Sequence, residues 1–289
     1  MIILERNDDY NENLEIDLNL KNLVNTILLH FNSFLEYLAE NYPDYFLPYI
    51  RALGKRLSEI IKREEEVSAA VFSLLRNYRL KQKGKDLVIL DFFRLLQSKL
   101  IEVIKLSLDL NKYHFSKRGT KLRVKLFDRT KGIIVPTYLI AIALKDFMQR
   151  EKAIEFYKKY IDFIYESKEL APPTMEYVEE IIELHEKEYK YTHNYVAFKQ
   201  EEGKIGVKIN KCMIQEALKD FDANYDKELA YYVLCYHDFH TTKRMNKNFS
   251  LTREKTIMIG NYYCDFCWID KRLSEEKEHP EKEFWIDLE

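Results

Sequence analysis

From Leu20 to about Tyr191 the apolar residues return every three or four positions, and after Asn194 they begin to alternate. The first repeat lays a single stripe along a helix, and the second lays a single face along a strand. The switch divides the chain into a long helical stretch and a shorter stretch rich in strand. Breakers are scarce enough for long helices, with 7 glycines and 6 prolines in 289 residues.

Leu23, Ile27, Phe31, Phe34, Leu35 and Leu38 mark a first helix over Leu20–Tyr42, stopped by Pro43. Phe46–Leu80 reads as one or two helices with Gly84 as the stop, and Leu87–Leu110 as a strongly amphipathic one. Lys117–Arg129 is basic, and the alternation of Leu122, Val124 and Leu126 leaves a short strand open. Helices are expected over Pro136–Met148 and Glu151–Glu169. After Pro172, Pro173 and an N-cap at Thr174, another is expected over Met175–Tyr191.

Asn194–Phe198 and Gly203–Ile209 alternate around Glu201, Glu202 and Gly203, a hairpin signal. Asn210 is suited to cap a helix over Lys211–Phe221, and one longer helix is expected over Asp226–Arg244. Phe249–Ile259 and Tyr262–Ile269 read as a second hairpin closed at Gly260 and Asn261. The expected fold class is α+β: a mostly helical N-terminal region, then a four-stranded antiparallel sheet in a β-β-α-α-β-β unit packed with helices. The matching division is 1–125, 126–270 and a charged tail over 271–289, in which Phe284 and Trp285 could dock.

A net charge of −2 supplies no field toward nucleic acid or an anionic membrane. No apolar run reaches the roughly 18 residues of a membrane span. Met1–Asp9 turns acidic after four residues, unlike a signal peptide. A cytoplasmic protein with no nucleic-acid or membrane partner is expected. Its four cysteines, all beyond residue 210, are then reduced thiols.

A two-residue turn at Gly260 and Asn261 sets Ile257 against Cys264, Lys255 against Phe266 and Arg253 against Trp268. Arg253 and Lys255 would then share an otherwise apolar face. Buried cations need partners. Either Arg253 clamps the carboxylate of a ligand, or Asp238, a glutamate or solvent satisfies the pair. Lys255, diagonal to Cys264, would lower that thiol's pKa. Cys212, in the first turn of a helix, would gain from free amides and the macrodipole. Cys235 and Asp238, three apart on one helix, share a face. A lone cysteine is more often a small buried apolar residue than a nucleophile. Cys264 and Cys267 have zinc-like spacing, but on a strand they point to opposite faces. His237 and His240 lack an obvious third ligand, so no metal is expected.

Part of this pattern resembles the L-2-amino-thiazoline-4-carboxylic acid hydrolase family over about Ile133–Trp268. That family shows D-W-V-x-x-F, a short turn, and a strand ending in E-C; this chain has Asn194-Tyr195-Val196-Ala197-Phe198, then Lys211-Cys212. The family's C-x-x-D is similar to Cys235 through Asp238. Its closing R-T-x-T-L-x-x-G-x-x-x-C-D-F is similar to Arg253 through Phe266. Tyr138–Leu144 through Glu166 is similar to the preceding helix pair. Lys211 stands where the family usually has Glu, Glu254 replaces a Thr, Cys267 is extra, and residues 1 to about 125 have no counterpart.

The resemblance implies hydrolytic opening of a thiazoline ring, by attack on an amidine carbon. Cys264 is the first candidate nucleophile and Cys212 the second, with Cys235 also in the thiol set. Asp238 or Asp265 would serve as acid or base, and Arg253, Lys255 and His237 would bind a small carboxylate substrate. No cofactor is implied. Asp265 points away from Cys264 on a strand, which favours Asp238. The alternative is a non-catalytic small-molecule-binding or sensing module, since the β-β-α-α-β-β order is loosely similar to vinyl-reductase-type ligand-binding domains. A scaffold that forms a homodimer through its N-terminal helices is a third expectation.

Overall fold

The computed structural model describes residues 1–63, 87–113, 121–166, 174–274, 278–286 and 288. The expected stop at Gly84 and the expected break at Pro172 and Pro173 lie outside these residues. The strands are Ile2–Asn7 (β1), Glu15–Asn19 (β2), Lys121–Lys125 (β3), His193–Glu201 (β4), Lys204–Cys212 (β5), Phe249–Thr252 (β6) and Cys264–Asp270 (β7). The chain separates into two compact units, Asn13–Glu155, and Met1–Glu12 with Phe156–Glu289.

The first unit carries helices over Leu20–Asn41, Pro43–Arg63, Leu87–Ser107 and Leu126–Ile142. Asn19 caps the first by accepting from the Asn22 amide. Pro43 opens the second, where its missing N–H costs nothing. The short strand left open around Leu122 forms as β3 and pairs antiparallel with β2. The last helix begins ten residues before Pro136, which was expected to start it, and carries that proline inside. An internal proline costs about 3 kcal/mol. Burial of Ile134, Val135, Leu139 and Ile140 offsets this at roughly 1.5–3 kcal/mol per aliphatic side chain.

The second unit is built on a sheet of order β1-β4-β5-β7-β6, antiparallel at every step. The four expected strands are joined by β1. Its residues Ile2, Ile3 and Leu4 are exposed and do not alternate with polar ones, so no apolar stripe announces it. Tyr195, Ala197, Val207, Phe266 and Trp268 share one face with Ile181 and Ile182 of the Glu180–Tyr189 helix. Phe198, Cys267 and Ile269 share the other with Trp285 and Leu288, so the charged tail does dock.

Gly203, at φ 74°, closes the first hairpin in a conformation that glycine alone adopts without strain. The second hairpin departs from expectation. β6 ends at Thr252, and it pairs Leu251 with Trp268 and Thr252 with Cys267, two residues out from the expected register. Residues 253–263 form a loop with one short 3-10 turn, Ile257–Ile259. The Asp265 carboxylate draws this loop off the ladder by accepting from the amides of Glu254 and Lys255 at 2.9 and 2.7 Å. The single helix expected over Asp226–Arg244 is instead two, Lys227–Leu234 and His237–Met245. At the break, the Cys235 carbonyl accepts from Arg253 Nη2 at 2.9 Å.

Candidate functional site

Alternation places His193, Tyr195 and Ala197 of β4 on the inner face, opposite the side of Phe198. Along β5 the same face carries Ile205, Val207 and Ile209. Tyr195 pairs with Ile209, but Asn194 pairs with Lys211 and His193 with Cys212. Asn210 is therefore an extra residue, a bulge, and not the helix cap expected of it. The cap position belongs to Cys212, and the helix runs over Met213–Phe221. Beyond a bulge the alternation shifts by one, which brings Cys212 onto the inner face beside Ile209.

Arg253 enters from the loop between β6 and β7. Its Nη1 donates to Asp238 Oδ2 at 2.7 Å, and its side chain is 1% exposed. The guanidinium carbon lies 4.6 Å from the Phe266 ring centre and 5.2 Å from those of Tyr231 and Phe239. Burial opposes the charge, but the Asp238 carboxylate together with Cys235 and Tyr231 outweighs it, so the group's pKa rises. Nε is buried and has no hydrogen-bond partner among the described residues.

These elements enclose a chamber of about 100 Å³, the space of roughly three water molecules. Cys212, Cys235, Cys264, Asp238, Arg253 and His237 all line it. The Cys264 thiol donates to Thr256 Oγ1 at 3.4 Å, and its sulfur accepts from the Ile257 amide at 3.2 Å. All three thiols are protonated at neutral pH. Burial pushes Cys212 up to about 12, against the amides of Gln215 and Ile214. Burial also raises Cys264, and it raises Cys235 well above its ordinary value in spite of Arg253. The expected lowering of these thiols is thus overturned by desolvation, which outweighs helix amides and a nearby cation.

Lys255 is not across from Phe266. It stands outside the chamber, where its Nζ donates to Tyr263 Oη at 3.0 Å. It lines a second, wider pocket of about 430 Å³ with Tyr231 and Tyr232, and Arg253 and Thr256 line both spaces. Asp265 faces the opposite side of the sheet, where Oδ2 lies 3.3 Å from His279 Nε2. His240 stacks on Tyr165 and lies 3.0 Å from Asp162, whereas His237 turns toward Asp238. Among the described residues no group of three or more His, Cys, Asp or Glu side chains is placed to hold a metal ion, and no helix is long and apolar enough to cross a membrane.

Two lining residues escaped the sequence reading, His185 and His193. Burial lowers the first to about 4, against the pull of Asp238, and the second to about 3, so both rings are neutral at pH 7. His185, Tyr189 and His193 recur every four residues, a spacing that would have placed at least the first two on one helix face.

Residues 129–268, just under half of the chain, match the model of the L-2-amino-thiazoline-4-carboxylic acid hydrolase family. No curated protein and no solved structure matches the chain. The family match supports a hydrolase-like function at the level of the family.

Proposed function

We propose, from the match of residues 129–268 to a hydrolase family, that this protein is a thiol-dependent hydrolase. It opens the ring of a small cyclic amidine or amide bearing a carboxylate, such as a 2-amino-thiazoline carboxylate. The observation that carries the reading is the convergence of Cys212, Cys235, Cys264, Asp238 and Arg253 on one chamber.

In this reading Arg253 holds the substrate carboxylate through its unpartnered Nε and the charge it keeps there. A chamber thiol, Cys264 or Cys212, attacks the amidine carbon. Asp238, with His237 beside it, moves the proton to the leaving atom. Because the resting thiols are protonated, attack requires a base to take the S–H proton as the new bond forms. Lys255 guards the outer pocket, and Asp265 holds the loop that carries Arg253.

A second reading, a binding module with inert thiols, is favoured by the raised pKa of all three chamber cysteines. Incubation with racemic 2-amino-thiazoline-4-carboxylate, followed by mass spectrometry, separates the two. The hydrolase yields a product heavier by one water, and loses it in either Cys264→Ser or Cys212→Ser. Saturable binding with no product would replace the enzyme by the binding module.

A further inference from the structure

His193 and Cys212 are direct cross-strand partners on the inner face. Such partners hold their Cβ atoms about 4.5–5.5 Å apart. The pair exists on this face because Asn210 is inserted as a bulge; strict alternation would have sent Cys212 to the other side of the sheet.

The ring of His193 is held by its neighbour. Thr192 Oγ1 lies 2.9 Å from His193 Nδ1, and the same hydroxyl donates to the Tyr189 carbonyl at 3.3 Å. A hydroxyl whose proton is given to Tyr189 can only accept from the imidazole. This assigns the proton to Nδ1 and leaves the Nε2 lone pair free to accept. Nucleophile, base and a third group that orients the base are the parts of an activated thiol. We infer that His193 is the general base for Cys212, that Thr192 is the positioning residue that fixes its tautomer, and that Cys212 is therefore the nucleophile. This rests on the hydrolase reading above and goes further by choosing between its two thiols. The contacts of Cys264 are an amide and a hydroxyl, neither of which can take its proton at neutral pH.

The step balances. The S–H bond breaks and the proton passes to His193 Nε2. The sulfur pair forms a bond to the amidine carbon, and the C=N π pair moves onto nitrogen. Collapse breaks the ring bond to the leaving nitrogen or sulfur, and the proton held by His193 reaches that atom by way of the Asp238 carboxylate. Water then adds to the same carbon, the bond to Cys212 breaks, and the thiol is restored, so the sum is substrate plus one water. Burial makes an imidazolium costly at His193. A substrate carboxylate lowers that cost, so proton transfer waits for the substrate.

The test is alkylation of the full chain at neutral pH by iodoacetate, which brings a carboxylate of its own, read cysteine by cysteine by peptide mass spectrometry, beside the ring-opening assay. Cys212 should react fastest of the four. His193→Gln should slow Cys212 by about tenfold or more, with ring opening falling by about a hundredfold, while Cys264 keeps its rate. Thr192→Val should slow Cys212 severalfold and Thr192→Ser should restore it. Faster labelling of Cys264 or Cys235, or a Cys212 rate indifferent to His193→Gln, overturns the assignment. If His193→Gln has no cooperative thermal transition, the Thr192 pair decides, and equal rates in Val and Ser overturn it. A His193-dependent Cys212 without ring opening keeps the dyad and removes the substrate. Ring opening unaffected by His193→Gln keeps the hydrolase and removes the dyad.

Discussion

Arg253 Nη1 stands 2.7 Å from Asp238 Oδ2, and this ion pair joins the loop after β6 to the Asp238 end of the His237–Met245 helix. The guanidinium is 1% exposed, whereas the carboxylate keeps 26%. Removing one partner of such a pair strands a buried charge, which costs more than the pair itself contributes. Asp238→Ala should therefore destabilise the protein by about 3 kcal/mol, the lower end for a buried pair, because Asp238 retains some solvent. Urea denaturation measures this; a loss under about 1 kcal/mol would mean that the rings of Phe266, Tyr231 and Phe239 already satisfy Arg253.

Acid should weaken the fold through His185 and His193. Both have a folded-state pKa below the ordinary 6.5, near 4 and near 3, because burial disfavours the imidazolium. The unfolded chain then binds more protons as pH drops below 6.5, so stability falls as pH falls. Between about pH 7 and about pH 5 the loss is about 2 kcal/mol for each histidine. Chemical denaturation at both pH values reads it, and His193→Gln should halve the slope. An unchanged slope would show that the ring is solvated.

Gly206 leaves no room for a side chain. A Cβ there would lie 2.1 Å from Phe198 Cζ, within the opposite-face cluster that holds Trp285. Gly206→Ala should cost about 1–3 kcal/mol as overpacking. Phe198→Leu in the same chain should recover part of that loss. A double-mutant cycle with no coupling between the two would refute the contact.

Asp265 acts at a distance from the chamber. Its carboxylate accepts from two loop amides, and unmade buried bonds cost about 1–3 kcal/mol each. Asp265→Ala should accelerate hydrogen exchange at Glu254 and Lys255 strongly, and Asp265→Asn, which keeps one acceptor oxygen, less so. Equal exchange in both variants and the parent would show that the loop is held by other contacts.

The sequence carried the strands of the sheet well where one face is apolar and the other is not, as at Tyr195, Ala197, Val207 and Ile209. It carried β1 poorly, since Ile2, Ile3 and Leu4 are held by main-chain bonds to β4 and not by a stripe. Gly260 announced a turn correctly, but the turn ends a 3-10 segment, because the pull of Asp265 on residues 254 and 255 is long-range and has no local signature. The break at Cys235 has no glycine or proline to mark it, and the bond from Arg253 replaces one. Chemically, residue types were legible and environments were not: cations and amides near the thiols pointed one way, and desolvation, visible only in three dimensions, pointed the other.

The bulge at Asn210 makes the chamber depend on parity. Were that one exposed residue to pair as an ordinary strand residue instead of bulging, every chemical group in the chain would stay intact and Cys212 would still turn from the inner to the outer side of β5. In any relative of this protein, the bulge between Ile209 and this cysteine matters as much as the cysteine itself. A one-residue insertion there with no second bulge would turn the thiol outward while sparing the fold, whereas excising Asn210 would straighten the strand and leave the thiol facing inward.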